Sequence, residues 1–143
     1  GVEWDISGNV TSQLSLIASY AYTDAVITRD PTNQGLRLAN VPRNSGSVWA
    51  RYRFDAQWAA AAGVFSQGQR EGDLGNTFQL PGYARTDAMV SYDFRTSAVR
   101  GTVQLNVDNI FDRRYYTGSH QFSQDWIQVS RPRTFSGTLR LTF

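Results

Sequence analysis

His120 is the single histidine of this chain, Glu3 and Glu71 are its only glutamates, and cysteine is absent. A catalytic triad needs a nucleophile, a base and a third group that orients the base, and a zinc centre needs several His or Cys donors. A glycosidase needs a facing pair of carboxylates, and neither glutamate lies in such a context. No calcium-loop spacing is present. Asp108, Asn109 and Asp112 suit the organisation of a turn better than the holding of a metal. No enzyme is expected from this inventory, and no cofactor. The chemistry on offer is non-covalent: between Arg113 and Pro132 the chain gathers Tyr115, Tyr116, His120, Gln121, Phe122 and Trp126. Such an amphipathic set suits gripping a partly apolar ligand. The same aromatics would equally serve to pack the loop against its neighbours.

The segments that carry these residues alternate with period two, the signature of half-buried strands. Val2–Ser7 forms a short first strand, ending at the turn-prone Ser7-Gly8-Asn9. In the second, Leu14, Leu16, Ala18, Tyr20 and Tyr22 share one face and Ser15, Ser19, Ala21 and Thr23 the other, with Ile17 as the exception. Val48, Ala50, Tyr52 and Phe54 then oppose Ser47, Trp49, Arg51 and Arg53. The fourth runs from about Trp58 to Gln67. Its Ala59–Ala62 run also suits a helix, but Gly63, Val64 and Phe65 follow at once. In the fifth, Ala88, Val90, Tyr92 and Phe94 oppose Arg85, Asp87, Met89, Ser91 and Asp93, and in the sixth Val99, Val103, Leu105 and Val107 oppose Arg100, Thr102, Gln104, Asn106 and Asp108. The last sets Phe135, Leu139, Leu141 and Phe143 against Ser136, Thr138, Arg140 and Thr142.

Loop lengths alternate as well. Links 8–13, 55–57 and 96–98 are short, whereas 28–43, 68–82 and 113–132 are long and polar. Short turns on one side and long loops on the other are the periplasmic and extracellular asymmetry of outer-membrane barrels, as is an aromatic C-terminus on an amphipathic last strand. Tyr20, Tyr22, Tyr52, Phe54, Tyr92, Phe94 and Phe143 fall on the apolar faces near strand ends, where interfacial girdles lie. The alternative is a soluble β-sandwich with these aromatics in its core.

Composition fits a barrel without demanding one. The chain has 143 residues, is 41% hydrophobic and 18% charged, and its mean hydropathy of −0.42 is that of alternating rather than continuous apolar sequence. No stretch approaches the roughly 18 to 20 apolar residues of a membrane helix. The net charge of +2 and the scattered basic residues argue against nucleic acid. All basic residues are Arg, which reflects either genome composition or a use for interior hydrogen-bonding cations. The start at Gly1-Val2-Glu3-Trp4 carries no signal-peptide pattern, so a mature product or the downstream part of a longer chain is expected.

Several segments resemble the closing strands of TonB-dependent siderophore receptors of the ferrichrome type. They are Ser19-Tyr20-Ala21-Tyr22-Thr23-Asp24-Ala25, Asn40-Val41-Pro42-Arg43 before Val48–Phe54, and Gly72-Asp73 with Leu80-Pro81-Gly82-Tyr83. Asn106–Asp112 with Tyr115-Tyr116, and Arg131-Pro132-Arg133 before the terminal strand, complete the set. The resemblance implies an all-β, antiparallel up-and-down transmembrane barrel in the bacterial outer membrane. Residues 1–143 would supply about seven C-terminal strands of a barrel of about 22, without the plug domain and the upstream strands.

An open sheet of seven strands leaves edges that lipid does not tolerate. A fragment, completed by the remaining barrel strands, is therefore favoured over a piece that closes with copies of itself. The resemblance further implies a receptor that binds ferric siderophores and imports them with energy from TonB, which would act through the missing plug. Iron arrives already chelated, so no metal ligands are required of the protein. Trp126 falls about where such receptors place a ligand-facing aromatic; Phe122, Tyr115 and Tyr116 are the further ligand candidates. The charges Arg51, Arg53, Arg85, Asp87, Asp93, Arg100, Asp108 and Arg140 would form cross-strand ion pairs, or instead contact the plug. A passive porin-like channel remains the alternative among barrels.

Overall fold

The computed structural model describes residues 1–122 and 125–143. Its framework is one antiparallel sheet of β1 (Val2–Asn9), β2 (Leu14–Tyr22), β3 (Asn44–Arg53), β4 (Trp58–Gln67), β7 (Tyr83–Arg95), β8 (Arg100–Asp108) and β11 (Thr134–Thr142). These pair in the order β1-β2-β3-β4-β7-β8-β11, an up-and-down meander. The long loops add two small hairpins, β5 (Arg70–Glu71) with β6 (Gln79–Leu80) and β9 (Tyr116–Ser119) with β10 (Ile127–Val129). Sequence alternation does not reveal these, because strands of two to four residues are too short to show a period.

The first strand is longer than its sequence suggests. Ser7, Gly8 and Asn9 stay in the ladder opposite Ile17, Leu16 and Ser15, and the turn lies beyond them. There the Thr11 hydroxyl accepts hydrogen bonds from the amides of Gln13 (3.2 Å) and Leu14 (2.9 Å). The other short turns repeat this device two and three residues downstream of the acceptor. Asp55 takes the amides of Gln57 and Trp58, both at 2.7 Å, and the Thr96 hydroxyl those of Ala98 (3.3 Å) and Val99 (3.0 Å). A short side-chain acceptor that closes the turn locally lets each hairpin reverse in a few residues.

Register places residues directly opposite one another on the same face, and it sorts the charges completely. One face runs from Ile6 and Ala18 through Val48, Val64, Val90 and Leu105 to Leu139, and none of its strand positions is charged. The other carries Glu3, Asp5, Arg51, Arg53, Arg85, Asp87, Asp93, Arg95, Arg100, Asp108 and Arg140. Among the described residues no second layer covers the apolar face: Leu105 is 58% exposed, Leu139 61% and Phe135 70%. A soluble sandwich would bury these side chains against a second sheet, so the exposed face does not favour that alternative. An uncharged single-layer face opposite a charged one is the partition of lipid from lumen.

The apolar face is edged by aromatics at both ends. Toward the long loops Trp4 packs on Tyr20, with ring centroids 5.9 Å apart. Toward the short turns Tyr52 meets Phe54 (5.1 Å) and Trp58 meets Tyr92 (4.7 Å). Their hydroxyls reach polar side chains: Tyr20 donates to Asn44 (2.7 Å), Tyr52 to Gln13 (3.1 Å), and Tyr92 accepts from Gln57 (3.2 Å). Ring in the apolar layer and hydroxyl outside it is the disposition of an interfacial aromatic. The alanine-rich β4 lies mid-sheet because small residues are needed there. Ala59 and Ala61 are buried opposite Arg53 and Arg51, and a Cβ on Gly63 would collide with the Trp49 indole across from it.

Candidate ligand-binding groove

The three long loops are assembled by side chains that act as joints. Asn109 is buried, with φ of 55°, a left-handed conformation that asparagine tolerates. Its amide donates to Asp87 Oδ1 (2.7 Å). Its Nδ2 donates to the carbonyls of Arg113 (2.9 Å) and Arg131 (3.2 Å), and its Oδ1 accepts from the Arg113 amide (3.0 Å). One side chain thereby clamps both ends of loop 109–133. Asp112, also left-handed with φ of 51°, accepts from the Arg133 amide at 2.7 Å. Asn109 and Asp112 thus organise the loop entrance, as their residue types suggest.

A second joint ties all three loops together. Asn40, with φ of 61°, donates its backbone amide to Glu71 O (2.8 Å). Its side-chain Nδ2 donates to Ser119 O (2.9 Å), while Oδ1 accepts from the amide (3.0 Å) and hydroxyl (3.1 Å) of Ser119. The Ser119 hydroxyl also reaches the Gly72 carbonyl. Asn76 makes a reciprocal pair with the backbone of Arg37, donating to its carbonyl (2.9 Å) and accepting from its amide (2.8 Å). Arg70 is buried, donates from Nη2 to Tyr116 O (2.8 Å), and lies 5.8 Å from the Tyr83 ring centroid. Burial disfavours its charge, lowering its pKa. The carbonyl dipole and the ring face oppose that effect.

On this base the β9–β10 hairpin forms one wall of a groove of about 660 Å³ lined by Ser119, His120, Trp126, Ile127 and Gln128, with Gly118 and Asp125. Trp126 is 75% exposed and is the one ligand candidate that lines it among the described residues. Phe122 is equally exposed but packs beside His120, with centroids 5.8 Å apart. Tyr115 turns away and stacks on Tyr83 at 4.0 Å and 17°. Tyr116 opposes Val129 in the hairpin and gives its carbonyl to Arg70. The groove therefore assembles Trp126 with His120 and Ile127, while Tyr115 and Tyr116 hold the hairpin in place. Sequence reasoning does not reach Asn40, Asn76 or Arg70 as joints. The available signal is asparagine in a polar loop, the residue most tolerant of left-handed backbone after glycine.

The expectation of cross-strand ion pairs on the lumen wall is not met. Among the described residues the ion pairs are Arg85–Asp87 (2.7 Å), two positions apart on β7, and Arg37–Asp24 (2.7 Å) within loop 23–43. Asp87 is already engaged by Asn109, and Asp93 accepts from the Thr102 hydroxyl at 2.6 Å.

Comparison with known proteins agrees with this architecture. A family model described as "TonB dependent receptor-like, beta-barrel" matches residues 1–110. The metal-pseudopaline receptor CntO of Pseudomonas aeruginosa is 38% identical over 149 aligned residues, covering 100% of this chain and 20% of that protein. The ferrichrome outer membrane transporter/phage receptor of Escherichia coli is 36% identical over 120 residues, covering 80% of this chain and 16% of its own length. In structure, the siderophore receptor PiuA of Acinetobacter baumannii superposes with a TM-score of 0.83 at 24% identity, over 98% of this chain and 21% of that one. The chain spans about one fifth of the length of the curated relatives it matches.

Proposed function

We propose that this chain, which belongs to the TonB dependent receptor-like β-barrel family, supplies wall strands and part of the extracellular cap of an outer-membrane receptor for ferric siderophores. The observation that carries the reading is the groove at Trp126, built on jointed long loops at one end of a sheet whose opposite faces suit lipid and lumen. Relatives named as receptors for ferrichrome, ferrioxamine and metal-pseudopaline support a chelated metal ion as the ligand. A metal chelate presents an organic shell to the protein, and an exposed indole beside His120 and Ile127 is suited to such a shell. In such a chelate the organic shell already coordinates the ion, so the protein need supply no metal ligand. Import would draw on TonB through a plug inside the completed barrel, and ligand discrimination would be shared with loops beyond these.

Calorimetric titration of the full-length receptor with ferrichrome, ferrioxamine B and metal-pseudopaline tests the reading. Replacing an anchoring aromatic typically costs about 1.4 to 2.8 kcal/mol, so Trp126→Ala should weaken the bound chelate about ten- to a hundredfold. Unchanged affinity for a chelate that binds the wild type removes Trp126 from the site. Uptake that persists after the proton gradient is collapsed would favour the passive channel.

A further inference from the structure

We infer that the cavity between loops 23–43 and 68–82 is a phosphate site, where Arg43, Asn44 and Arg70 hold the oxyanion of a phosphoryl group. It shares no lining residue with the groove at Trp126. Its volume is about 430 Å³, and three arginines, Arg37, Arg43 and Arg70, line it against one acid, Glu71. The side-chain acceptors of the lining are engaged from within. Asn44 Oδ1 accepts from the Tyr20 hydroxyl (2.7 Å), Gln79 Oε1 from Gln69, and Glu71 Oε1 from Gln79 Nε2 (2.9 Å). Donors are left over. Among the described residues the Arg43 guanidinium has no ion-pair or hydrogen-bond partner, and the Asn44 Nδ2 donates to nothing. Arg70 gives Nη2 to Tyr116 O (2.8 Å), but its Nη1 is buried with no acceptor.

A buried N–H without an acceptor costs free energy, and a surplus of donors calls for a ligand made of acceptors. Guanidinium groups match phosphate and carboxylate oxygens in bidentate fashion. Arg43 and Asn44 lead into β3 whereas Arg70 opens β5, so the free donors come from two loops. A tetrahedral phosphate offers oxygens in several directions, while a carboxylate presents two in one plane, and donors from two elements favour the former. Arg37 adds charge rather than a free fork, because it donates to Asp24 Oδ1 (2.7 Å) and Thr23 O (3.4 Å). The bond from Tyr20 to Asn44 sets the cavity at the edge of the apolar face. On the reading of that face as lipid-facing, a headgroup phosphate and a phosphate from solution both reach it, and both present the same oxyanion.

Calorimetric titration of the full-length receptor with inorganic phosphate, and native mass spectrometry of the receptor taken from phosphatidylglycerol vesicles, test the site together. Arg43→Gln should weaken phosphate about ten- to a hundredfold, the loss expected for one charge-assisted contact. Asn44→Asp, which keeps the acceptor for Tyr20 but sets an acid among the donors, should abolish binding. Arg29→Gln removes the same charge from an exposed part of the same loop and should leave affinity within about twofold. The Arg43 side chain bonds nothing in the fold, so heat-modifiable migration should be that of wild type. Phosphatidylglycerol retained by wild type and lost in Arg43→Gln assigns the site to a headgroup; free phosphate lost in that variant with lipid retention unchanged assigns it to phosphate in solution. Either result upholds the site. Binding of neither by a folded receptor overturns it, as do equal losses in Arg29→Gln and Arg43→Gln, or tighter binding of acetate than of phosphate. Ferrichrome titration separates this inference from the proposed function: Arg43→Gln should leave chelate affinity unchanged, and a chelate that displaces phosphate overturns a separate site. Unchanged chelate affinity in Trp126→Ala, with phosphate binding intact, counts against the proposed function alone.

Discussion

Asn40 offers a substitution pair that separates backbone conformation from hydrogen bonding. Its side chain makes three hydrogen bonds to Ser119, at 2.9, 3.0 and 3.1 Å, and its φ of 61° is left-handed. At a net ~1 kcal/mol each, losing those bonds in Asn40→Gly should cost about 2 to 3 kcal/mol of local stability, because glycine keeps the backbone at no cost. Asn40→Ala loses the same bonds together with asparagine's tolerance of left-handed backbone, and should cost about 1 to 2 kcal/mol more than the glycine variant. Since every 1.4 kcal/mol is tenfold, protection of the Ser119 amide against hydrogen exchange should fall about 30- to 150-fold in the glycine variant, and further in the alanine variant. Exchange in the centre of β3 and β4 should be unaffected in both. The assay is exchange mass spectrometry of the full-length receptor, with chelate titration alongside, since a loosened β9–β10 hairpin also displaces Trp126. Wild-type protection at Ser119 in the glycine variant would refute the joint. Equal loss in both variants would refute the conformational part.

Two further perturbations test the wall and its turns. Leu105 lies mid-strand on the apolar face, opposite Val90 and Gly137. Reversible unfolding into lipid vesicles should show Leu105→Arg destabilised by about 2 to 4 kcal/mol, and its neighbour Gln104→Arg, on the other face, within about 0.5 kcal/mol; similar costs would mean the faces are misassigned. Asp55 has its pKa held below the ordinary 3.8 by the amides of Trp58 and Gln57. A depressed carboxylate contributes stability that is fully present above its unfolded pKa and is lost as pH falls through the folded one. Urea unfolding should therefore show wild type more stable than Asp55→Ala at pH 7, with the gap closing only under acid, below the usual carboxylate range. A gap that is unchanged at low pH would rule out the ionised carboxylate as the cap.

The seven strands of the wall were legible in the sequence because a spanning strand must present one apolar and one polar face. Lipid on one side and an enclosed wet space on the other write that requirement directly into the period-two pattern. The short turns were equally local, although the Thr11, Asp55 and Thr96 acceptors that close them came from the structure, and so was the placement of Tyr20, Tyr52 and Tyr92 at the edges of the apolar band. At Ser7-Gly8-Asn9 local turn chemistry suggested a stop, but ladder pairing with β2 carried the strand on. The cap is of another kind. Tyr115 and Trp126 are both loop aromatics eleven positions apart, and their types do not say that one stacks on Tyr83 while the other lines a groove. That division depends on Asn40, Arg70 and Asn109 meeting backbone groups up to 79 residues away, contacts with no period and no local signature. Sequence alone determined which side chains face lipid. Only the tertiary structure decided which loop aromatics pack and which line the groove, because that depends on pairings between distant segments.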